Sequence, residues 1–156
     1  LIKKFGGHAM AAGLTISAER LDTFKLALSL TAKKHLTPEQ LTAVIYTDGE
    51  LPPECFDLGF STLLQNAGPW GQAFPEPVFD GEFTLISQKM LSDKHLKMVL
   101  QTPGGKLVDA IWFNADNKAW PDVNVQKVQL AYQLDINEFR DKQSLQLIVR
   151  HMTALN

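Results

Sequence analysis

The chain has 156 residues, enough to bury a real core in one domain or two small ones. With 45% hydrophobic and 21% charged residues its composition is that of an ordinary globular protein, no apolar run approaches the roughly 20 residues a membrane span needs, and nothing reads as a basic-then-apolar secretory leader. A net charge of −2 excludes a polycation drawn to nucleic acid by its overall charge, so any such contact must come from a local patch or from another part of a larger protein.

The chain opens on Leu1-Ile2-Lys3-Lys4, without a methionine and directly against a glycine-rich stretch, as a cut inside a domain would. That stretch is Phe5-Gly6-Gly7-His8-Ala9-Met10-Ala11-Ala12-Gly13. Gly6 and Gly7 remove the side chains that would hold a ligand off the backbone and allow positive φ. The spacing predicts a short helix over Ala9–Ala12 with His8 at its mouth, where unpaired N–H groups favour an anion. Gly6, Gly7 and His8 are therefore a candidate phosphate seat; the plainer reading is a turn.

Leu14-Thr15-Ile16 alternates as a short strand does. Ser17 can cap a helix that runs to about His35, with Leu21, Phe24, Leu28 and Ala32 as its buried stripe and Lys33, Lys34 and His35 suited to its last turn. Thr37-Pro38-Glu39-Gln40 carries a cap, a proline at the first helical position and a glutamine three residues on. Ala43-Val44-Ile45-Tyr46 reads as a strand ended by Asp48-Gly49, and a helix is expected from about Phe56 to Gln65, closed by Asn66-Ala67-Gly68. The single cysteine, Cys55, offers no internal disulfide and no cysteine-based metal site, which fits a reducing cytoplasm.

Residues 68–77, Gly-Pro-Trp-Gly-Gln-Ala-Phe-Pro-Glu-Pro, are too rich in proline and glycine for helix or central strand. They read as a stiff linker burying Trp70 and Phe74 between two domains, or as a loop that offers Trp70 for base stacking. From Val78 the pattern has period two: Phe79 to Leu85, His95 to Gln101, the more evenly apolar Leu107 to Phe113, Val128 to Ile136, and Leu145 to Val149. Pro103-Gly104-Gly105 marks a hairpin turn. A three-stranded meander, a crossing segment over 116–122 and a final hairpin predict a five-stranded antiparallel barrel of the OB type; the alternative is an open antiparallel sheet packed on the preceding helices. The expected class is α+β, with a mixed α/β segment over 1–67, the linker over 68–77 and the barrel over 78–156.

OB barrels take oligonucleotides on their second and third strands and adjoining loops. Those positions hold Lys89, Lys94, His95, Lys97, Lys106, Trp112, Arg140 and Lys142, cations for a phosphate chain and rings for bases. From Val78 onward nine basic residues balance nine acidic ones, so binding by this half alone should be weak and salt-sensitive. Trp112 can equally be core. The four histidines, His8, His35, His95 and His151, are scattered, no acidic or histidine cluster has metal-ligand spacing, and no nucleophile elbow or P-loop is present. Neither a catalytic residue nor a metal site is expected in this chain.

Gly6-Gly7-His8-Ala9-Met10-Ala11-Ala12-Gly13 resembles the GGHxxAAG motif of the DHHA1 domain of DHH-superfamily phosphoesterases. The 68–79 stretch, with Gln129-Leu130-Ala131-Tyr132 and Leu134-Asp135-Ile136-Asn137-Glu138-Phe139-Arg140, is similar to the C-terminal part of the bacterial RecJ family. This resemblance implies the end of a DHHA1 domain followed by an OB domain, from a single-strand-specific 5′→3′ DNA exonuclease of repair and recombination. It implies that Gly6, Gly7 and His8 contact substrate phosphate near two divalent ions, Mn2+ or Mg2+, held by a DHH domain whose motif is absent here. Two-metal phosphodiester hydrolysis is then the chemistry of the longer enzyme, this piece alone is expected to be inactive, and single-stranded DNA is its partner. A module that docks a partner such as single-strand-binding protein, or a brace for the catalytic core, are the competing expectations; a monomer is expected.

Overall fold

The computed structural model describes residues 2–8 and 10–155. Two compact units divide it, Leu1–Val44 and Ile45–Asn156.

In the first unit, β1 (Lys4–His8) and β2 (Ala11–Thr15) form an antiparallel two-stranded sheet with Gly6 opposite Gly13 and Gly7 opposite Ala12. The helix expected over Ala9–Ala12 is therefore not formed: Ala11 and Ala12 are strand, and Ala9 lies outside the described residues. A four-residue helix must bear the whole cost of nucleation for almost no internal hydrogen bonds, whereas a hairpin gains a ladder at once. Gly7 suits that ladder, since a Cβ there would press on its partner strand, 3.0 Å from the Cβ of Ala12 and 3.1 Å from the Ala11 carbonyl oxygen. A 3₁₀ turn over Ala18–Arg20 leads into α1 (Leu21–His35), which carries Lys33, Lys34 and His35 in its last turn. Ser17 is extended and makes no side-chain cap. Of the expected stripe, Phe24 and Ala32 are half-buried while Leu21 and Leu28 stay exposed. The Thr37 box forms as read: the Thr37 N–H donates to Gln40 Oε1 (2.9 Å) and the Gln40 N–H to Thr37 Oγ1 (3.4 Å).

The strand expected over 43–46 is not formed, and Tyr46 is 87% exposed. Pairing begins two residues later, where the Asp48 N–H donates to the Val78 carbonyl (2.7 Å), the Asp80 N–H donates to the Gly49 carbonyl (3.1 Å), and Glu50 makes a parallel bridge with Asp80. Periodicity alone could not supply the partner that decides where a strand starts.

In the second unit, α2 (Leu58–Asn66) starts at Asp57, whose Oδ1 accepts the Phe60 N–H at 2.7 Å. Ser61 is buried, and Phe60 and Leu64 pack against the core. Trp70 donates its indole N–H to the Leu64 carbonyl (3.0 Å) and stacks on Phe74 with centroids 4.8 Å apart. Residues 68–77 thus fold onto the end of α2, inside the same unit as the barrel.

The barrel consists of β3 (Phe79–Leu91), β4 (His95–Gln101), β5 (Leu107–Phe113), β6 (Lys127–Phe139) and β7 (Lys142–Leu155), closed in the order β3-β4-β5-β7-β6. All five segments of period two became strands, and Pro103-Gly104-Gly105 became the β4–β5 turn, with the Thr102 N–H on the Lys106 carbonyl and Gly105 at φ +83°. The sheet is mixed, not antiparallel: β5 and β7 run parallel, Asp109 opposite Gln146 and Trp112 opposite Val149. A closed ring with an odd number of strands cannot alternate direction all the way round, and the crossover through 114–126 puts the parallel pair where the ring closes. Inward residues fill the interior, among them Leu96, Met98, Leu100, Ala110, Val128, Leu130 and Leu147. At the end where β3 starts, Phe56, Phe83 and Tyr132 pack ring against ring at 5.3 to 6.0 Å.

Candidate nucleic-acid interface

Register decides which side chains share the outer surface. On β4 the residues at 96, 98 and 100 are buried, so His95, Lys97, Val99 and Gln101 face outward; on β5, Val108 and Ala110 are buried and Asp109, Ile111 and Phe113 face outward. Lys97 stands opposite Lys89 of β3 on one side and Ile111 of β5 on the other, and His95 stands opposite Phe113. The bulge at Ile86 resets the parity of β3 and brings Lys89 to this surface: before it Phe83 and Leu85 point inward, after it Ser87 and Lys89 are exposed. Lys94 sits exposed in the β3–β4 turn, beside Ser92 and Asp93 at φ +50° and +54°.

Lys89, Lys94, His95 and Lys97 therefore form one group. Phe113, 48% exposed, sets its ring edge-on to His95 at 5.2 Å, and the Asn114 N–H donates to His95 Nδ1 at 3.2 Å. Among the described residues no candidate lysine or arginine lies within 4.0 Å of a carboxylate; the ion pair present is Asp22–Lys25. Two like charges set directly opposite each other on a strand pair repel, and an anion bridging them turns that repulsion into attraction.

Of the remaining candidates, Arg140, Lys142 and Lys106 lie at the opposite end of the strands, while Trp112 lies next to Phe113 on β5. Arg140 and Lys142 belong to the β6–β7 hairpin, with Arg140 and Asp141 at φ +51° and +60° and the Arg140 guanidinium 5.1 Å from the centroid of the 64% exposed Phe139 ring. Lys106 donates its ammonium to the Phe56 carbonyl at 2.7 Å. Trp112 has the parity of Val108 and Ala110, stands opposite the fully buried Leu96, and packs against the core. On the barrel strands the exposed rings are thus Phe113 and Phe139, which reading the sequence missed. A signal for the first existed: pairing outward from the 102–106 turn puts residue 113 opposite residue 95.

In the first unit, Gly6, Gly7 and His8 lie in succession on β1, all exposed, with His8 opposite Ala11. Among the described residues no group of three or more His, Cys, Asp and Glu side chains could hold a metal ion, and no helix is long and apolar enough to cross a membrane.

Residues 47–151 match the family described as RecJ OB domain. The chain is 47% identical over 156 residues to the single-stranded-DNA-specific exonuclease RecJ of Dickeya dadantii, covering 99% of this chain and 27% of that protein. It is 45% identical over 150 residues to the protein of the same name from Escherichia coli, covering 96% and 26%. The fold matches crystal structures of RecJ from Thermus thermophilus in complex with Mg2+ (TM-score 0.62, 19% identity) and with Mn2+ (TM-score 0.63, 20% identity), covering all of this chain and 24% and 22% of those chains. The chain spans about a quarter of the length of the curated relatives it matches.

Proposed function

The chain belongs to the RecJ OB domain family, and from that premise we propose that it is the strand-gripping part of a single-strand-specific 5′→3′ DNA exonuclease, binding single-stranded DNA across the outer face of β4 and β5. The observation that carries this reading is the lysine pair Lys89–Lys97, facing each other across β3 and β4, free of carboxylate partners among the described residues and flanked by the His95–Phe113 rings. Phosphates neutralise the paired ammoniums, and an exposed ring beside them accepts a base without regard to sequence. Arg140 and Lys142, at the other end of the strands, are proposed to extend the track; Lys106 and Trp112 contribute less, because a carbonyl engages the one and the core takes up the other.

The hairpin of the first unit is proposed as the end of a DHHA1 domain, with Gly6 and Gly7 bringing the backbone near a substrate phosphate and His8 beside it. The ions named with the Thermus thermophilus structures have no fitting donor set among the described residues here, so no step of hydrolysis is assigned to this chain. Its part is to hold the strand.

A salt titration of oligonucleotide binding, read by fluorescence anisotropy, tests the reading. Each phosphate neutralised on a single strand contributes about −0.7 to the slope of log K against log salt. The double variant Lys89→Glu, Lys97→Glu should lose about tenfold or more in affinity and flatten the slope by about 1.4. Unchanged affinity and slope would remove this face from the interface, and a flat slope in the parent chain would remove DNA binding itself.

A further inference from the structure

We propose that the acidic pocket at the end of the barrel where β3 begins is a second binding site, one that takes the guanidinium of an arginine presented by a protein segment. Its walls are Glu50 and Leu51 from the segment bridged to β3, Asp80 and Glu82 on β3, Phe56, and Tyr132 from β6, enclosing about 200 Å³. Three carboxylates face it and its lining holds no Lys, Arg or His. The nearby Lys106 is engaged by the Phe56 carbonyl at 2.7 Å. The three carboxylates repel a phosphodiester from the pocket itself.

The second, independent observation is Tyr132. Its side chain is fully buried, and its hydroxyl is the buried side-chain polar atom that finds no hydrogen-bond partner among the described residues. A buried hydroxyl left unpaired is unfavourable, and native folds rarely keep one without a use. Asp80 and Glu50 line the pocket together with Tyr132; burial first, and then their negative charges, push this phenol above its ordinary value.

The chemistry selects the occupant. A bare divalent ion needs converging ligands, and among the described residues no such group exists. Leu51 and Phe56 give the pocket an apolar floor, which suits an alkyl stem and not a hydrated inorganic cation. A guanidinium carries five N–H donors in a rigid planar fork, enough for two carboxylates and the Tyr132 oxygen together, and it stacks on aromatic rings; an ammonium offers three donors from one point.

The test is an NMR titration of the full 156-residue chain with the peptide acetyl-Gly-Arg-Gly-amide, against the same peptide with neutral citrulline in place of arginine. Saturable shifts at Glu50, Leu51, Asp80, Gly81 and Tyr132 are expected at roughly millimolar peptide, the scale of a single side-chain contact, with none from the citrulline peptide. Glu50→Gln with Asp80→Asn should weaken binding about fivefold or more. Tyr132→Phe should weaken it several-fold while leaving the remaining spectrum in place. Equal response to citrulline, shifts confined to other surfaces, no response at millimolar peptide, or indifference to these variants would each overturn the proposal. Oligonucleotide affinity, measured on the same samples, should be unchanged by all of them, so this site and the DNA-binding face fail or stand separately.

Discussion

Tyr132 shows how much one side chain reports. Its ring joins the aromatic cluster with Phe56, Phe79 and Phe83, while its hydroxyl lies buried beside Asp80 and Glu50. The phenol is held protonated in the fold and is free to ionise in the unfolded chain above its ordinary value of 10.0. Above that value the unfolded state binds fewer protons than the folded one, so stability falls as pH rises. The contribution is complete below about pH 10 and is lost as the pH climbs through the raised folded value, at about 1.4 kcal/mol per pH unit. Chemical denaturation between pH 9 and 11 should show this slope, and Tyr132→Phe should remove it with little cost in stability at neutral pH. A variant that unfolds as steeply with pH as the parent would show that another group drives the alkaline transition. Within the barrel, residue-level burial followed from alternation in the sequence, as at Leu96, Met98 and Leu100. Trp112 did not, because the last four residues of β5 are apolar on both faces and its parity shows only once its partners Leu96 and Val149 are known.

At the scale of elements, the strands that obey period two were legible, and the short elements that depend on a neighbour were not. The five barrel strands and the 102–106 turn carry their own signals; the β1–β2 hairpin and the 46–50 segment take their conformation from what they pair with. The same distinction locates a weak point in the β4–β5 turn. Gly105 sits at φ +83° with open space around its Cα, so Gly105→Ala meets only backbone strain, worth about 1–2 kcal/mol. A urea transition shifted by that amount, with DNA affinity unchanged, is the expected result; a neutral outcome would mean the turn relaxes to another form. Gly104 differs, because a Cβ there would stand 2.9 Å from the Pro53 Cβ and press the turn against the segment before α2.

Over the whole molecule, charge is sorted by position. Near-neutral totals conceal a lysine-bearing face across β3 and β4 and an acidic pocket beside Tyr132 on the same barrel. The second unit has its own closed sheet and core and includes α2 and the 68–77 segment. A chain begun at Ile45 should therefore unfold in a single cooperative transition and keep the near-ultraviolet signature of its buried aromatic cluster. One begun at Val78 should not, because it removes Phe56, α2 and the Glu76 carboxylate that accepts from Gln133, itself bonded to Arg150. If the shorter piece folds as well as the longer, those contacts are dispensable.

By itself the sequence determined the family resemblance, the five barrel strands, the turn that registers two of them and the types of residue available for gripping a strand. These are local properties, written in periodicity and composition. The tertiary structure decided the parallel β5–β7 pair, the bulge that turns Lys89 outward opposite Lys97, the hairpin in place of a helix behind His8, and the burial of Tyr132 among carboxylates. Each depends on which distant segment lies alongside, and the closure of a five-membered ring of strands is a property that no one strand possesses.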